Sequence, residues 1–186
     1  EVQYSWRKEA SKGISRLVCG LLLGFGSPSA SRLAFNIRPT VLVLKKMHET
    51  GVDLCLDVHG DEGLLMAPVY AVPRLLARNG LTLQDFDFYE IHEAFAATVL
   101  STLKAWEDPT FCQEKLGRDT PLGSIDRDKL NVNGSSLAAG HPFAATGGRI
   151  VASLAKMLHE KGPGSRGLIS ICAAGGQGVV AILEGA

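Results

Sequence analysis

Three side chains capable of proton transfer or thiol chemistry stand at points where the local pattern ends one element or begins the next: His92, His141 and Cys172. An imidazole titrates near neutrality, so a histidine can take and return a proton at physiological pH. A thiol is reactive only as far as its surroundings favour the thiolate. His92 closes a run that alternates like a strand, Phe86 to Ile91. His141 stands beside Pro142, just ahead of a helical pattern, and Cys172 ends an apolar strand next to a glycine-rich turn. In open α/β sheets, ligands gather beyond strand ends, so the three placements are mutually consistent. Taken singly, each has a structural reading: Cys172 as a small buried hydrophobe, His92 as a hydrogen-bonded core histidine, His141 as a loop cap.

The elements that must position these residues are read from periodicity. Residues 1–40 keep no clear apolar period, and Gly24 to Ser31 is loop-like. Val41, Leu44 and Met47 are spaced for a helix that Gly51 ends, and Val52 to Val58 reads as a strand running into His59-Gly60-Asp61-Glu62-Gly63. A helix is expected over 68–79, with Val69, Val72 and Leu76 on one face, Asn79-Gly80 as its stop, and Pro73 confining the regular part to the later turns. After the strand into His92, a helix spans about 93–106 on Ala96, Val99, Leu103 and Trp106. Glu107 to Lys129 is expected to be a long polar loop, of a length usually tied to function. Asn131 to Ser136 is rich in turn residues. A helix then runs to about Lys161 with Ile150, Leu154 and Met157 on one side, and Gly162-Pro163-Gly164 ends it. Two strands close the chain, 168–172 and 179–183, joined by Ala173-Ala174-Gly175-Gly176-Gln177-Gly178. Strands alternating with helices give a layered α/β domain.

Composition narrows the function. The 186 residues are 46% hydrophobic and 20% charged, which is ordinary for a globular chain. Nineteen basic residues balance nineteen acidic ones, so nothing invites nucleic acid. Cys19, Cys55, Cys112 and Cys172 are scattered with no CxxC pair, which argues for a reducing compartment and against a zinc ribbon or a disulfide scaffold. The apolar run Leu17 to Phe25 is too short to span a bilayer, and no clean small-residue cleavage site follows it. The expectation is a soluble cytoplasmic protein with no membrane span. His48 and His159 lie in charged helical contexts and read as surface residues. The glycine-rich turn fits neither a dinucleotide nor a P-loop pattern; as a hairpin turn it is sufficient in itself.

Four segments, in order, carry a family resemblance: Tyr89-Glu90-Ile91-His92-Glu93-Ala94-Phe95-Ala96; Asn131-Val132-Asn133-Gly134-Ser135-Ser136; Gly140-His141-Pro142-Phe143-Ala144-Ala145-Thr146-Gly147; and Cys172-Ala173-Ala174-Gly175-Gly176-Gln177-Gly178. Together they resemble the C-terminal domain of thiolases. His92, where most thiolases carry Asn, resembles the branch that includes the β-subunits of fatty-acid oxidation complexes and leans toward medium- or long-chain 3-ketoacyl-CoA substrates. The resemblance implies one half of a thiolase-like layered fold, a mixed sheet with helices. It implies a two-step acyl transfer: a cysteine thiolate attacks the 3-keto carbonyl, and coenzyme A then takes the acyl group. His141 would activate that thiolate, and Cys172 would shuttle the proton to and from the enolate carbon. His92 would serve an oxyanion hole, and Gly175 or Gly176 a second one, with Ser135 and Ser136 at the substrate. No permanently bound cofactor and no metal are implied; coenzyme A or acyl-CoA is the substrate.

The family's nucleophilic cysteine belongs to a Cys-x-Ser-Gly setting in the N-terminal half, and neither Cys19-Gly20-Leu21 nor Cys55-Leu56-Asp57 matches it. Residues 65–186 are therefore expected to be the thiolase C-terminal domain, inactive alone. It would work with a nucleophile-bearing half, as a homo-oligomer or as a subunit of a fatty-acid oxidation complex. Residues 1–64 are expected to be a separate segment. Within it, 40–63 resembles the strand of zinc carboxypeptidases that carries the last zinc-binding histidine, His59 here; the earlier ligand pair is missing, so no closed zinc site is expected. The alternative function is a catalytically inactive thiolase remnant that self-associates or binds a partner.

Overall fold

The computed structural model describes residues 4–5, 53–58, 65–143, 145–173 and 176–185. The helix expected over 41–51, His48, the loop carrying His59, and Gly175 lie outside the described residues. The strands are β1 (Tyr4–Ser5), β2 (Asp53–Val58), β3 (Phe88–Ile91), β4 (Arg166–Ala173) and β5 (Gln177–Glu184). The helices are α1 (Ala67–Asn79), α2 (Ala96–Glu107), α3 (Pro109–Glu114), α4 (Ser136–Ala139) and α5 (Thr146–Lys161), with single 3-10 turns at Leu83–Asp85 and Arg127–Lys129.

One mixed sheet has the order β1-β2-β5-β4-β3. β4 and β5 form the antiparallel centre, β2 adds antiparallel to β5, and β3 lies parallel to β4 with Ile91 opposite Ser170. The parallel pairing requires a long crossover, which α2 to α5 supply. The period-2 alternation sorts side chains into two cores. Tyr89, Ile91, Leu168, Val180 and Ile182 meet the apolar faces of α1 and α2. Ile169, Ile171, Val179, Ala181 and Leu183 meet Ile150, Leu154, Met157 and Leu158 of α5, with Phe88 at the margin. The layered α/β fold with a mixed sheet is the one the sequence implied.

Helix α1 approaches the sheet so closely that only glycine fits beneath its start. A Cβ on Gly178 would lie 2.6 Å from the Pro68 nitrogen and 2.7 Å from the Ala67 carbonyl carbon. Pro73 does not delay the helix as expected; α1 is regular from Ala67. The carbonyl that Pro73 leaves without an intrahelical donor is that of Val69, four residues back. The Trp106 indole N–H donates to that oxygen at 3.2 Å, so α2 repairs the gap in α1. The expected polar loop over 107–129 is also corrected: it begins with a helix, α3. Asp108 caps it by accepting from the Phe111 N–H at 2.9 Å, Pro109 takes the first turn, and Cys112 is buried on the inner side.

Candidate functional site

His92 is fixed by the end of β3. Its backbone N–H donates to the Ser170 carbonyl at 2.8 Å, one step beyond the last paired residues. Asn131 clasps the same strand end: its Oδ1 accepts from the Ile91 N–H at 2.9 Å, and its Nδ2 donates to the Ile91 carbonyl at 3.0 Å and to Glu93 Oε1 at 2.8 Å. Asn131 adopts φ 48°, a left-handed conformation that asparagine tolerates better than most residues. The other Glu93 oxygen accepts from the Leu137 N–H at 3.1 Å, which ties α4 to the same corner. The segment read as turn-rich is thus the clamp that sets the strand end against α4.

Alternation places Phe88, Glu90 and His92 on the α5 side of the sheet. His141, in the loop before α5, brings its ring to 4.3 Å from that of His92, centroid to centroid, at an interplanar angle of 53°. The His141 ring is itself held: Nδ1 lies 2.7 Å from Thr146 Oγ1, whose own proton can go to the Pro142 carbonyl at 3.2 Å. Phe143 packs edge-on against it at 5.1 Å. Nδ1 is therefore occupied within the loop, and Nε2 is the nitrogen left for chemistry.

His92 is only 2% exposed. Its Nδ1 lies 2.9 Å from Ser136 Oγ, while its Nε2 is buried with no hydrogen-bond partner. Burial, reinforced by His141 and Arg149, pushes its pKa down to about 4, so the ring is neutral at pH 7. A buried polar nitrogen without a partner is costly to leave so, and suits a ligand. Arg149 Nη2 donates to Ser135 Oγ at 3.3 Å and Ser136 Oγ at 3.2 Å. Glu90 is buried beneath this group; desolvation, opposed by Arg149, raises its carboxyl to about 7.

Cys172 reaches the same end of the sheet. Neighbouring strands lie about 4.8 Å apart and rise about 3.3 Å per residue, so its backbone ends within roughly 10 Å of His92. By alternation it shares the face of Leu168 and Ser170. Among the described residues no hydrogen bond or ring contact joins its thiol to either histidine. Burial pushes that thiol up to about 11, so it rests protonated. Gly176 is buried in the β4–β5 turn at φ 72°. The Ser135 and Ser136 hydroxyls are buried, turned onto Arg149 and, for Ser136, onto His92.

The structure thus brings His92, His141 and Ser136 together on the α5 side of the sheet, whereas Cys172 ends the neighbouring strand on the α1 side, beside Gly178, with no hydrogen bond or ring contact to either histidine among the described residues. It adds four residues that sequence reasoning missed: Arg149, Glu90, Thr146 and Asn131. Arg149 and Glu90 carried a signal, since each is a charge at the edge of an apolar stripe. Among the described residues no cluster of three or more metal-ligating side chains occurs, and no helix is long and apolar enough to cross a membrane.

A sequence model for "Thiolase, C-terminal domain" matches residues 45–185. The match begins ahead of residue 65 and takes in β2, the strand that resembles a carboxypeptidase segment by sequence. The chain is similar to the 3-ketoacyl-CoA thiolase of Alteromonas mediterranea, 51% identical over 123 residues, covering 66% of this chain and 28% of that protein. It is similar also to the 3-ketoacyl-CoA thiolase of Colwellia psychrerythraea, 50% identical over 129 residues, covering 69% of this chain and 29% of that protein. Among solved structures it resembles the peroxisomal 3-ketoacyl-CoA thiolase of Saccharomyces cerevisiae, with a TM-score of 0.55 and 35% identity, over 72% of this chain and 33% of that one. A second yeast structure, of the dimeric peroxisomal thiolase, gives 0.54 and 34% over 72% of this chain and 29% of that one. The chain therefore spans less than a third of the length of the curated relatives it matches.

Proposed function

The chain belongs to the thiolase C-terminal domain family, and from that premise we propose that it is the acid–base half of an acyl-CoA C-acyltransferase. In this reading it acts on 3-ketoacyl-CoA by thiolysis, or runs the reverse condensation, with a nucleophilic cysteine supplied by a thiolase N-terminal half. The single observation that carries the reading is the facing pair His92 and His141, one imidazole buried and neutral with an unpartnered nitrogen, the other held by its Nδ1 with Nε2 left over.

The roles follow from the two environments. His141 Nε2 takes the proton of the attacking thiol. The thiolate adds to the 3-keto carbon, and the carbonyl electron pair moves onto oxygen. When the C2–C3 bond breaks, its electron pair stays on C2, which takes a proton from Cys172. A thiol that rests protonated, as burial holds this one, is a suitable donor for that step. The coenzyme A thiol then surrenders its proton to the Cys172 thiolate and attacks the acyl-enzyme; the bond from the acyl carbon to the nucleophilic cysteine breaks, and that cysteine takes its proton back from His141, so all three groups are restored. His92 donates from Nε2 to the thioester oxygen as negative charge develops on it; one such donor is commonly worth about 3–4 kcal/mol in the transition state. The Gly175–Gly176 turn would serve the second oxyanion position, and Ser135 and Ser136 would line the substrate side through the His92 corner.

The working residues all fall within 65–186, which we take as the catalytic unit, with β1 and β2 lengthening its sheet. A homo-oligomer, or a place in a fatty-acid oxidation complex, belongs to the same proposal; the yeast relative is described as dimeric. So does a soluble cytoplasmic setting, in keeping with the sparse cysteines. To test the function, residues 65–186 replace the corresponding part of the Alteromonas 3-ketoacyl-CoA thiolase, and thiolysis of a 3-ketoacyl-CoA is followed. Activity that disappears with His141→Ala supports the proposal; a folded chimaera with no thiolysis refutes it.

A second reading has its own observation. Phe143, Phe95 and Leu137 are 75%, 63% and 61% exposed, and Leu100 and Val132 are exposed as well. Exposed apolar side chains of this size can serve as contacts for a partner. An inactive domain that self-associates through these side chains would elute as an oligomer in size-exclusion chromatography with light scattering. It would also fail to bind acyl-CoA.

A further inference from the structure

We propose that Ser136, gripped by Arg149, is a positioning residue that fixes His92 in its Nε2-protonated tautomer. The buried nitrogen is then always a hydrogen-bond donor and never a base. The claim deepens the acyl-transfer reading and takes its catalytic meaning from it, but the tautomer itself follows from hydrogen-bond accounting.

Ser136 Oγ has one proton to give and two lone pairs to offer. Arg149 Nη2 lies 3.2 Å away and, as a guanidinium, can only donate, so it claims a lone pair. The hydroxyl proton then needs an acceptor in a place where Ser136 is only 5% exposed. His92 Nδ1, at 2.9 Å, is that acceptor among the described residues. Were Nδ1 protonated instead, Oγ would receive two donors and its own proton would be stranded. A neutral ring that accepts at Nδ1 must carry its proton on Nε2, the atom that is buried without a partner. Double protonation would set a second cation beside Arg149 in a buried site, and both the burial and the guanidinium charge oppose it.

Arg149 is held in this role from two sides. Ser135 Oγ accepts from the same Nη2 at 3.3 Å. Glu90, two residues before His92 on the same face of β3, is buried and attracted electrostatically to it. The order Glu90, Arg149, Ser136, His92 thus runs from a buried carboxyl to a buried ring nitrogen that has no partner of its own. It separates the work of the two facing imidazoles. Ser136 makes His92 a donor, and the Thr146 oxygen leaves His141 Nε2 able to accept.

The test uses the full chain labelled with 15N-histidine, in long-range 1H–15N correlation spectra at pH 7, with the His92 signals identified by their loss in His92→Gln. The expected pattern is Nε2 in the protonated range and Nδ1 in the unprotonated range. In Ser136→Ala the two resonances should move toward each other as the tautomers mix, Ser136→Thr should restore them, and Arg149→Met should move them in the same direction as Ser136→Ala. A protonated Nδ1 in the unaltered chain overturns the proposal, as does a Ser136→Ala spectrum indistinguishable from it. Should Ser136→Ala not fold, the unaltered chain and Arg149→Met decide by the same criteria. No substrate or second half is present in this measurement. Its failure leaves the thiolysis reading standing, and a failed thiolysis assay leaves the tautomer standing.

Discussion

Two buried titratable groups two residues apart on β3, Glu90 and His92, pull the pH dependence of stability in opposite directions. The folded His92 pKa is depressed to about 4 from 6.5, so its neutral form contributes stability that is present above pH 6.5 and lost as pH falls toward 4. The folded Glu90 pKa is raised to about 7 from 4.5, so its contribution is present below pH 4.5 and lost as pH rises toward 7. Each shift corresponds to about 3 kcal/mol, and between pH 4.5 and 6.5 the two nearly cancel. Glu90→Gln should remove one arm and leave a stability that climbs from pH 4 to 6.5 in urea titrations; an unchanged profile would count against the buried carboxyl. Cys172 makes a separate prediction. With its thiol pushed up to about 11, its alkylation by iodoacetamide at pH 7 should be slower than that of free cysteine by about 100-fold or more and should accelerate until about pH 11. Peptide mapping by mass spectrometry reads this directly, and a rate like free cysteine would contradict it. At this scale the sequence was legible where chemistry coincides with a motif, as for His92 and His141. Arg149 and Thr146 were not, because their meaning lies in which hydroxyl or ring nitrogen they touch, across separations that periodicity does not encode.

At the scale of elements, the strands and the long helices were readable because each has one apolar stripe facing one core. The errors fell where tertiary contacts override local rules. Pro73 sits inside a regular helix because the Trp106 indole satisfies the carbonyl of Val69, 37 residues before it in sequence. The start of the expected loop after Glu107 is helical because Asp108 and Pro109 form a cap and first turn, a signal present in the sequence but hidden by the polar run that follows. The repair of α1 is testable. Trp106→Phe should cost at least about 1–3 kcal/mol through the orphaned carbonyl. Adding Pro73→Ala, which returns a helical N–H to Val69, should recover about 1 kcal/mol, so a double-mutant cycle in denaturant should show coupling. Additive effects would mean that the indole does not stand in for the missing helix bond.

For the whole molecule, the layered α/β arrangement followed from the alternation of strands and helices and the mixed sheet from the family resemblance, whereas the pairing of β2 with β5 followed from neither. Val52 to Val58 reads as a strand, but its neighbour is set by the shared sheet edge rather than by any local pattern. The gathering of His92, His141 and Ser136 depends on the β3–β4 register and on the Asn131–Glu93 clamp, neither of which is visible along the chain. In the proposed function these parts, joined to a nucleophile-bearing half, form one acyl-transfer site with His141 as base and His92 as oxyanion donor. Steady-state thiolysis by the chimaera of residues 65–186 with the Alteromonas enzyme tests it most directly. Turnover of a 3-ketoacyl-CoA is expected, abolished by His141→Ala and reduced about 10²–10³-fold in kcat by His92→Ala. Turnover that survives both substitutions, or a folded chimaera with none to lose, would contradict it.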